Sequence, residues 1–292
     1  MLYRSSSFIS CLRLYKNSCV VLARCKSSYG DLVNSKGLDG AVKLGDSKFW
    51  DNQYSKDDYK KTEWYINATK AASFLHQILL QRDILHPKKL NILLEIGCGS
   101  APLILPLTEY FKKSKFKILG FATDASNVCI SELKRSHAES VSDLKNPKQT
   151  ILRTDANGNA LTFISRGVYC SVLDIKDLKA FSQYMKYFPI TDIDSYKSQV
   201  GFKKGDNLKR YRTNIIAIDK GCLDALIWDK NVELVKNVLG HCDAVVSISG
   251  EDPDIRLDYY QTQYGKSFSV HFLEDSEIYG YSFINKGKNL TN

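Results

Sequence analysis

The clearest chemical pattern in this 292-residue chain is an apolar run that ends in an acid and two closely spaced glycines. Leu93-Leu94-Glu95-Ile96 precedes Gly97-Cys98-Gly99, and a second apolar run ends in Asp124, 25 residues after Gly99. Glycines allow a tight turn and a close approach to a ligand, and an acid after the second strand accepts hydrogen bonds from a ribose diol. The pattern therefore predicts a nucleoside site, for either a dinucleotide or S-adenosylmethionine.

Two departures from the dinucleotide pattern distinguish between these ligands. Glu95 directly precedes the glycine turn, and Pro102 occupies the position of the third glycine in G-x-G-x-x-G. A pyrophosphate binds bare backbone amides at the start of a helix, and a carboxylate beside them would repel it. The same carboxylate suits the cationic amino group of a methionine moiety, which favours S-adenosylmethionine.

Seven short apolar runs are typical of β-strands and alternate with segments at helical spacing. They are Asn91–Ile96, Phe116–Ala122, Val168–Leu173, Asn214–Ile218, Asp243–Ser249, Ser267–Phe272 and Ile278–Ile284. Near-continuous apolar strands separated by helices predict a parallel sheet that is covered on both faces. Only the turn at Leu273–Glu277 separates the last two runs, so an antiparallel hairpin is expected there. The predicted fold is α/β, a Rossmann-like, mostly parallel sheet of seven strands with a C-terminal antiparallel hairpin.

Several segments together resemble one enzyme class. Glu95–Gly99 and Asp124-Ala125-Ser126 are similar to motifs I and II of class I S-adenosylmethionine-dependent methyltransferases. Ile218–Leu226 resembles the D-K-G-T-L-D-A-L signature of the lysine methyltransferases of elongation factor 1-alpha and mitochondrial citrate synthase. The upstream segments Phe49–Tyr54 and Glu63–Tyr65 are similar to the W-x-x-x-Y and E-W-Y elements of that family. The resemblance covers about 48–136 and 214–285, and it implies S-adenosylmethionine as the cofactor.

The resemblance also implies roles for the matching residues at the first two strand ends. Glu95 would face the amino group of the cofactor, and Asp124 with Ala125 would hold the ribose. The residues that would let the backbone approach the methionine portion are Gly97, Cys98 and Gly99. Ala101 stands where the family usually has another glycine.

The adenine side of the expected site involves a third strand. Asp174 follows the apolar run Ser171–Leu173 and, with Ile175, is expected to bracket the adenine. Asp155 has the better spacing from Asp124 and is the alternative acid. By resemblance, Trp64 and Tyr65 would cover the cofactor.

The signature at Asp219–Leu226 favours methyl transfer to a lysine or N-terminal amine of a protein. Asp219 would lie at the carboxyl end of the fourth strand, where open α/β sheets bind substrates, and is the tentative catalytic residue. One alternative is an RNA methyltransferase of the transfer-RNA 3-methylcytidine type, to which the first two motifs are also similar. The other is a catalytically silent methyltransferase fold that serves as a binding module.

The formal net charge of +9 is unevenly distributed. Residues 176–213, interpreted as an insertion, hold nine basic residues, four aspartates and seven interleaved aromatic residues. Basic groups attract phosphate and aromatic faces stack on bases, so this segment is a possible RNA contact. A solvated, lysine-rich helix and loop is the interpretation that we favour, because charged runs are usually solvated faces.

The N-terminal segment 1–28 contains five basic residues, seven serines and no acid. This composition resembles a mitochondrial transit peptide and predicts the mitochondrial matrix as the location. A linker at 29–47, a catalytic domain at 48–285 and a tail at 286–292 would follow. No stretch approaches the ~18 apolar residues of a membrane span. The eight cysteines include no C-x-x-C pair, so no metal site is predicted.

Overall fold

The computed structural model describes residues 46–56, 63–137, 151–154, 160–165, 167–186, 213–228, 232–265, 268–274 and 276–285. These residues form one nine-stranded sheet with helices packed against it. The strands are β1 (Leu90–Ile96), β2 (Lys117–Asp124), β3 (Ile151–Thr154), β4 (Ala160–Ser165), β5 (Val168–Val172), β6 (Thr213–Lys220), β7 (Ala244–Ser249), β8 (Ser269–Phe272) and β9 (Tyr279–Ile284). The helices are α1 (Ser47–Tyr54), α2 (Ala68–Gln81), α3 (Ile104–Phe111), α4 (Asn127–Ser136), α5 (Leu178–Lys186), α6 (Cys222–Trp228), α7 (Val232–His241) and α8 (Pro253–Tyr264).

The strand order is β3-β4-β5-β2-β1-β6-β7-β9-β8. The central strand β1 pairs in parallel with β2 and β6, and β5 and β7 continue the parallel arrangement on either side. The strand β9 runs antiparallel to both β7 and β8. The predicted fold class and the C-terminal hairpin are therefore confirmed, and each of the seven predicted strands is present.

Two further strands extend the sheet beyond the seven predicted ones. The short strands β3 and β4 form an antiparallel addition at the β5 edge. They were not predicted because β3 has four residues and β4 has six, and neither contains more than two consecutive apolar residues. Asp155, the alternative adenine-side acid, lies outside the described residues, whereas Asp174 follows β5, the strand that pairs with β2.

Helices cover both faces because successive strand side chains point to opposite sides. Ile92 and Leu94 belong to one apolar cluster, whereas Leu93 belongs to the cluster on the other face, with α2, α3 and α4. Helix α2 packs closely on β9, since a Cβ built at Gly280 would lie 2.5 Å from Ile78 Cδ1. The buried sheet therefore provides a rigid base for the loops at its carboxyl edge.

Helix α5 lies near the start of the segment 176–213, which the sequence analysis interprets as an insertion. Its Phe181 is completely buried and Tyr184 is 6% exposed, and both belong to a core cluster. These two aromatic side chains therefore pack inside the fold and are not available to stack on bases. The other five aromatic residues of the segment lie at 187–212, outside the described residues.

At the N-terminal side, α1 begins at Ser47, and the Asp46 side chain caps it by accepting a hydrogen bond from Lys48 N. The expected transit segment 1–28 and tail 286–292 lie outside the described residues, as does the linker up to residue 45. No helix in the part of the chain that the structure describes combines the length and apolarity required to cross a membrane.

Candidate functional site

A cavity lies at the carboxyl ends of β1, β2, β5 and β6 and is open to solvent, with an empty volume of about 900 Å³. The parallel strands end at the same edge of the sheet, so loops that are distant in sequence meet there. The cavity is lined by most of the predicted cofactor residues, namely Trp64, Gly97, Cys98, Gly99, Asp124, Ala125, Asp174 and Ile175. The structure therefore brings these eight predicted residues around one cavity. Glu95, Tyr65 and Asp219 do not line it.

Asp124 connects the two chain turns at the centre of the cavity. Its Oδ2 accepts a hydrogen bond from Gly99 N at 3.0 Å, and its Oδ1 accepts one from Ser126 N at 2.8 Å. Gly97 and Gly99 have φ angles of 62° and 60°, in the left-handed region that favours glycine. Burial raises the pKa of Asp124 to about 6. Each carboxylate oxygen retains acceptor capacity for a further donor, such as a ribose hydroxyl.

The segment after β5 forms the neighbouring wall. Leu173 and Ile175 are 4% and 6% exposed and provide apolar surface, whereas Asp174 between them is half-buried. Lys176 N donates to Asp174 Oδ1 at 2.9 Å, and Leu173 N donates to Asp124 O at 2.8 Å. A carboxylate flanked by apolar side chains therefore lines the cavity together with Asp124.

Glu95 has a different position from the one predicted. It is 2% exposed, and its two oxygens accept hydrogen bonds from Leu103 N and Ile104 N, both at 3.0 Å. These amides belong to the start of α3, where free N–H groups favour an acidic partner. Burial raises the pKa of Glu95 to about 8, against the effect of the two amide donors. The predicted contact with a cofactor amino group is therefore corrected, because Glu95 fixes the following helix instead.

Asp219 is also directed away from the cavity. It is completely buried, Oδ1 accepts from Leu223 N at 3.0 Å, and Oδ2 accepts from Ser247 Oγ at 2.6 Å. Burial raises the pKa of Asp219 to about 7. Successive side chains of a strand alternate, so the next residue, Lys220, lines the cavity in its place. The tentative catalytic role of Asp219 is corrected to a structural one that joins β6, β7 and α6.

Aromatic side chains from α1 and from residues 63–66 cover one side of the cavity. Trp50, Tyr54 and Trp64 line it, with the Trp50 and Trp64 rings 6.0 Å apart. Helix α1 is held in place by Asp51, whose Oδ1 accepts from Ser126 Oγ at 2.6 Å and from Val128 N at 3.2 Å. These contacts place a water-excluding surface beside the glycine turn.

Tyr65 does not line the cavity but supports this cover from behind. Its hydroxyl donates to Asp224 Oδ2 at 2.5 Å. Lys220 Nζ donates to Ile66 O at 3.1 Å and lies 3.5 Å from Glu63 Oε2. The position of Trp64 therefore supports its predicted role in covering the cavity. Tyr65 does not reach the cavity and instead binds Asp224 behind the cover.

Several lining residues had no role in the sequence analysis. Trp50 and Tyr54 belong to the W-x-x-x-Y element, and Lys220 and Cys222 belong to the signature after β6, so the resemblance marked their segments only. Ser100 had no signal in the sequence beyond its place in the glycine turn. Its buried hydroxyl has no hydrogen-bond partner among the described residues, which leaves a donor free for a ligand.

Three buried side chains beside the turn have ligand atoms within 4.8 Å of one another: Cys98, Asp124 and Cys129. Thiols bind metal ions as thiolates, and burial raises the pKa of the Cys98 thiol well above its usual range. Both Asp124 oxygens already accept backbone hydrogen bonds. The two cysteines of this cluster are therefore described as neutral thiols that pack beside Asp124.

The residues present fit the ribose, adenine and sulfonium parts of S-adenosylmethionine. Asp124 offers acceptors for a diol, Leu173 and Ile175 offer apolar walls for a purine, and Ser100 offers an unused hydroxyl near the turn. The tryptophan faces suit a sulfonium, which is a cation that aromatic rings attract.

Comparisons with known proteins give no sequence family: no family model and no curated protein matches the chain. Among solved structures, the CurJ carbon methyltransferase is similar over 94% of this chain and 69% of its own, with 14% identity and a TM-score of 0.39. The S-adenosylhomocysteine-bound methyltransferase PaMTH1 of Podospora anserina matches over 98% and 100%, with 11% identity and a TM-score of 0.37. The plantazolicin methyltransferase BpumL, in complex with S-adenosylhomocysteine, matches over 84% and 95%, with 12% identity and a TM-score of 0.39.

Proposed function

We propose that this chain is an S-adenosylmethionine-dependent methyltransferase. The observation that carries the proposal is Asp124, which binds the Gly99 amide of the first turn while it lines the cavity beside Asp174. An acid at this strand end is the group that recognises a ribose diol. The same cavity is lined by three carboxylates, Glu63, Asp124 and Asp174, and by two lysines, Lys176 and Lys220, and this acidic balance disfavours a pyrophosphate.

When bound, S-adenosylmethionine supplies a methyl group on a sulfonium. Methyl transfer is an in-line displacement, so the residues around it contribute mainly alignment and the exclusion of water. Asp124 would hold the ribose, and Leu173 with Ile175 would hold the adenine. Trp50 and Trp64 would exclude water from the methyl group.

We propose a lysine or N-terminal amine of a protein as the acceptor. The support is the signature after β6, five of whose residues line the cavity: Lys220, Gly221, Cys222, Ala225 and Leu226. The Asp174 carboxylate would attract a cationic amine to the cavity, whereas the Glu63 carboxylate is paired with Lys220. An amine acceptor must lose a proton before attack, so the rate should rise with pH.

Cofactor binding is tested by titration calorimetry with S-adenosylmethionine. Wild-type protein should bind it, and Asp124→Asn should weaken binding by at least about tenfold, because a hydrogen bond to a charged group contributes about 1.5–3 kcal/mol. Asp258→Asn is the matched control, since Asp258 is exposed on α8. An absence of binding by folded wild-type protein would contradict the proposal and favour a catalytically silent binding module.

The acceptor is tested by labelled-methyl transfer into a mitochondrial extract, with and without ribonuclease. Label in protein that survives ribonuclease is the expected result, and amino-acid analysis should find it on an amine. Label that ribonuclease removes would show an RNA acceptor and refute the protein assignment.

We further propose that the protein acts in the mitochondrial matrix, on the composition of residues 1–28. The full chain, carrying a C-terminal fluorescent tag, should enter mitochondria. A version without residues 1–28 should remain outside them. A full chain that stays outside mitochondria would refute the location, and equal import of both versions would refute the role of residues 1–28.

A further inference from the structure

Tyr65 has a backbone conformation that a side chain of its type rarely adopts. Its φ is 62°, in the left-handed region, and its neighbours include no glycine. Such a conformation persists only where the surroundings hold it in place, and it is concentrated at functional positions. A hydrogen bond from Ile66 N to Trp64 O, at 2.7 Å, closes the turn, and the Tyr65 side chain is held by the hydrogen bond from its hydroxyl to Asp224 Oδ2, at 2.5 Å.

Asp224 is itself part of a buried ion pair. It lies in the first turn of α6 and is 1% exposed, and its Oδ1 accepts from Arg256 Nη2 of α8. Arg256 is also 1% exposed, and the same Nη2 donates to Ser249 Oγ at 3.2 Å. The Arg256 Nε and Nη1 atoms have no hydrogen-bond partner among the described residues.

A buried guanidinium with unused donors is a costly way to hold a fold together, because apolar side chains of similar size would serve as well or better. Arg256 fixes the orientation of the Asp224 carboxylate and leaves Oδ2 directed at Tyr65. The pair therefore links the carboxyl end of β7 to the segment that covers the cavity.

The effect of this link reaches the cavity through Trp64. A Cβ built at Gly221 would lie 3.1 Å from Trp64 Cε3 and 3.2 Å from Tyr65 Cε2, so both rings pack on the backbone after β6. Trp64 lines the cavity and lies 6.0 Å from the Trp50 ring. Because Trp64 and Tyr65 are adjacent, the bond that fixes one restricts the other.

We infer that Asp224 and Arg256 are positioning residues that hold Tyr65 in its left-handed turn and thereby keep Trp64 over the cavity. This inference rests on the proposed function for its binding readout. It adds two residues that touch neither the cavity nor a ligand, and it assigns the buried ion pair a role in cofactor affinity.

The test removes only the hydroxyl, in Tyr65→Phe, and follows two readouts. The dissociation constant for S-adenosylmethionine should rise about tenfold, while kcat at saturation should change less than about threefold. Acrylamide quenching of Trp64 emission, assigned by difference from Trp64→Phe, should increase in the absence of any ligand. Tyr110→Phe is the matched control, since Tyr110 is 43% exposed and stacks on His76.

The conservative variant Asp224→Asn tests whether the ion pair with Arg256 is needed to hold Tyr65. The amide oxygen of the new side chain can still accept from the Tyr65 hydroxyl, but the negative charge that pairs with Arg256 is lost. It should raise the dissociation constant, and Tyr65→Phe combined with Asp224→Asn should be no weaker than the worse single variant. Thermal melting identifies variants that do not fold, and comparisons are made among folded ones.

An unchanged dissociation constant and unchanged Trp64 quenching in folded Tyr65→Phe would overturn the inference, even though wild-type protein binds the cofactor. A wild-type protein that does not bind S-adenosylmethionine would instead refute the proposed function. In that case the quenching experiment still decides whether Asp224 and Arg256 position the cover.

Discussion

Acidification from pH 7 to pH 5 should weaken S-adenosylmethionine binding about tenfold through Asp124 alone. Burial is the main cause that raises the pKa of this carboxyl to about 6, and the carboxylates of Asp51 and Asp174 add to it. The ordinary value is about 3.9, at which this pH change would have almost no effect on ionisation. The prediction therefore tests the burial of Asp124 as well as its role.

The size of the effect on affinity follows from the fraction of Asp124 that is ionised. A protonated carboxyl binds the diol poorly, because it has lost one acceptor and places its own proton near the diol hydroxyls. With a pKa of about 6, the fraction is about 0.9 at pH 7 and about 0.1 at pH 5. The apparent dissociation constant is inversely proportional to that fraction, which gives the factor of about ten. The amino group of the cofactor, with an ordinary α-amino pKa of about 8, stays protonated throughout this range.

Titration calorimetry between pH 7 and pH 5 provides the measurement, and Asp124→Asn provides the control. The variant should bind more weakly at pH 7 and show no comparable change with pH. Glu95 and Asp219 titrate in or near this range but do not line the cavity, so their variants should keep the wild-type slope. A wild-type affinity that is constant within twofold, or an equal slope in Asp124→Asn, would refute the reasoning.

Acid unfolding through Asp124 does not confound this measurement. Its pKa in the folded state lies above the ordinary value, so the folded protein binds the proton more readily than the unfolded chain. The stability that protonation contributes is fully present below the unfolded pKa and is lost as the pH rises through about 6. Circular dichroism at each pH verifies that the protein remains folded.

Three other substitutions test the geometry around the site. Gly97→Ala should lower the free energy of unfolding by at least about 2 kcal/mol, because its φ is positive and the new Cβ would lie 2.6 Å from Cys222 Cβ. Gly240→Ala, in helix α7 with no atom within 4 Å of the new Cβ, should instead raise it by about 0.5–1 kcal/mol. Urea denaturation measures both, and a Gly97→Ala protein as stable as wild type would contradict the packing described. Asp219→Asn should cost about 1 kcal/mol through its bonds to Leu223 and Ser247, with kcat kept within about threefold. A larger loss of kcat in folded Asp219→Asn would restore the catalytic role that the structure removes.

The sequence was sufficient to predict those features of the site that depend on consecutive residues. An apolar run followed by Glu95, Gly97 and Gly99 specifies a strand and a tight turn, because these preferences are local. The parallel arrangement then follows from alternating strands and helices, and with it the meeting of Gly99 and Asp124 at one edge. The strands β3 and β4, which extend the sheet beyond β5, were not predicted because short strands gain their stability from a neighbour and not from their own pattern.

The direction of each acidic side chain could not be read from the sequence. Glu95 and Asp219 stand at strand ends like Asp124, yet both are turned into the protein, where backbone amides and a serine bind them. Whether a carboxylate faces a cavity depends on the strand alternation and on which donors the neighbouring elements present. Those donors come from α3, α6 and β7, and packing alone brings them near.

The amino-acid sequence by itself therefore determined the strand-turn-helix units and the carboxylate at the end of β2, since both depend on residues close in the chain. Tertiary structure alone decided which acids line the cavity and how the aromatic cover is held. Tyr65 and Asp224 are 159 residues apart, and Asp224 and Arg256 are 32 apart. Contacts over such separations form only once the sheet has fixed the loops, because no local preference selects one distant partner over another.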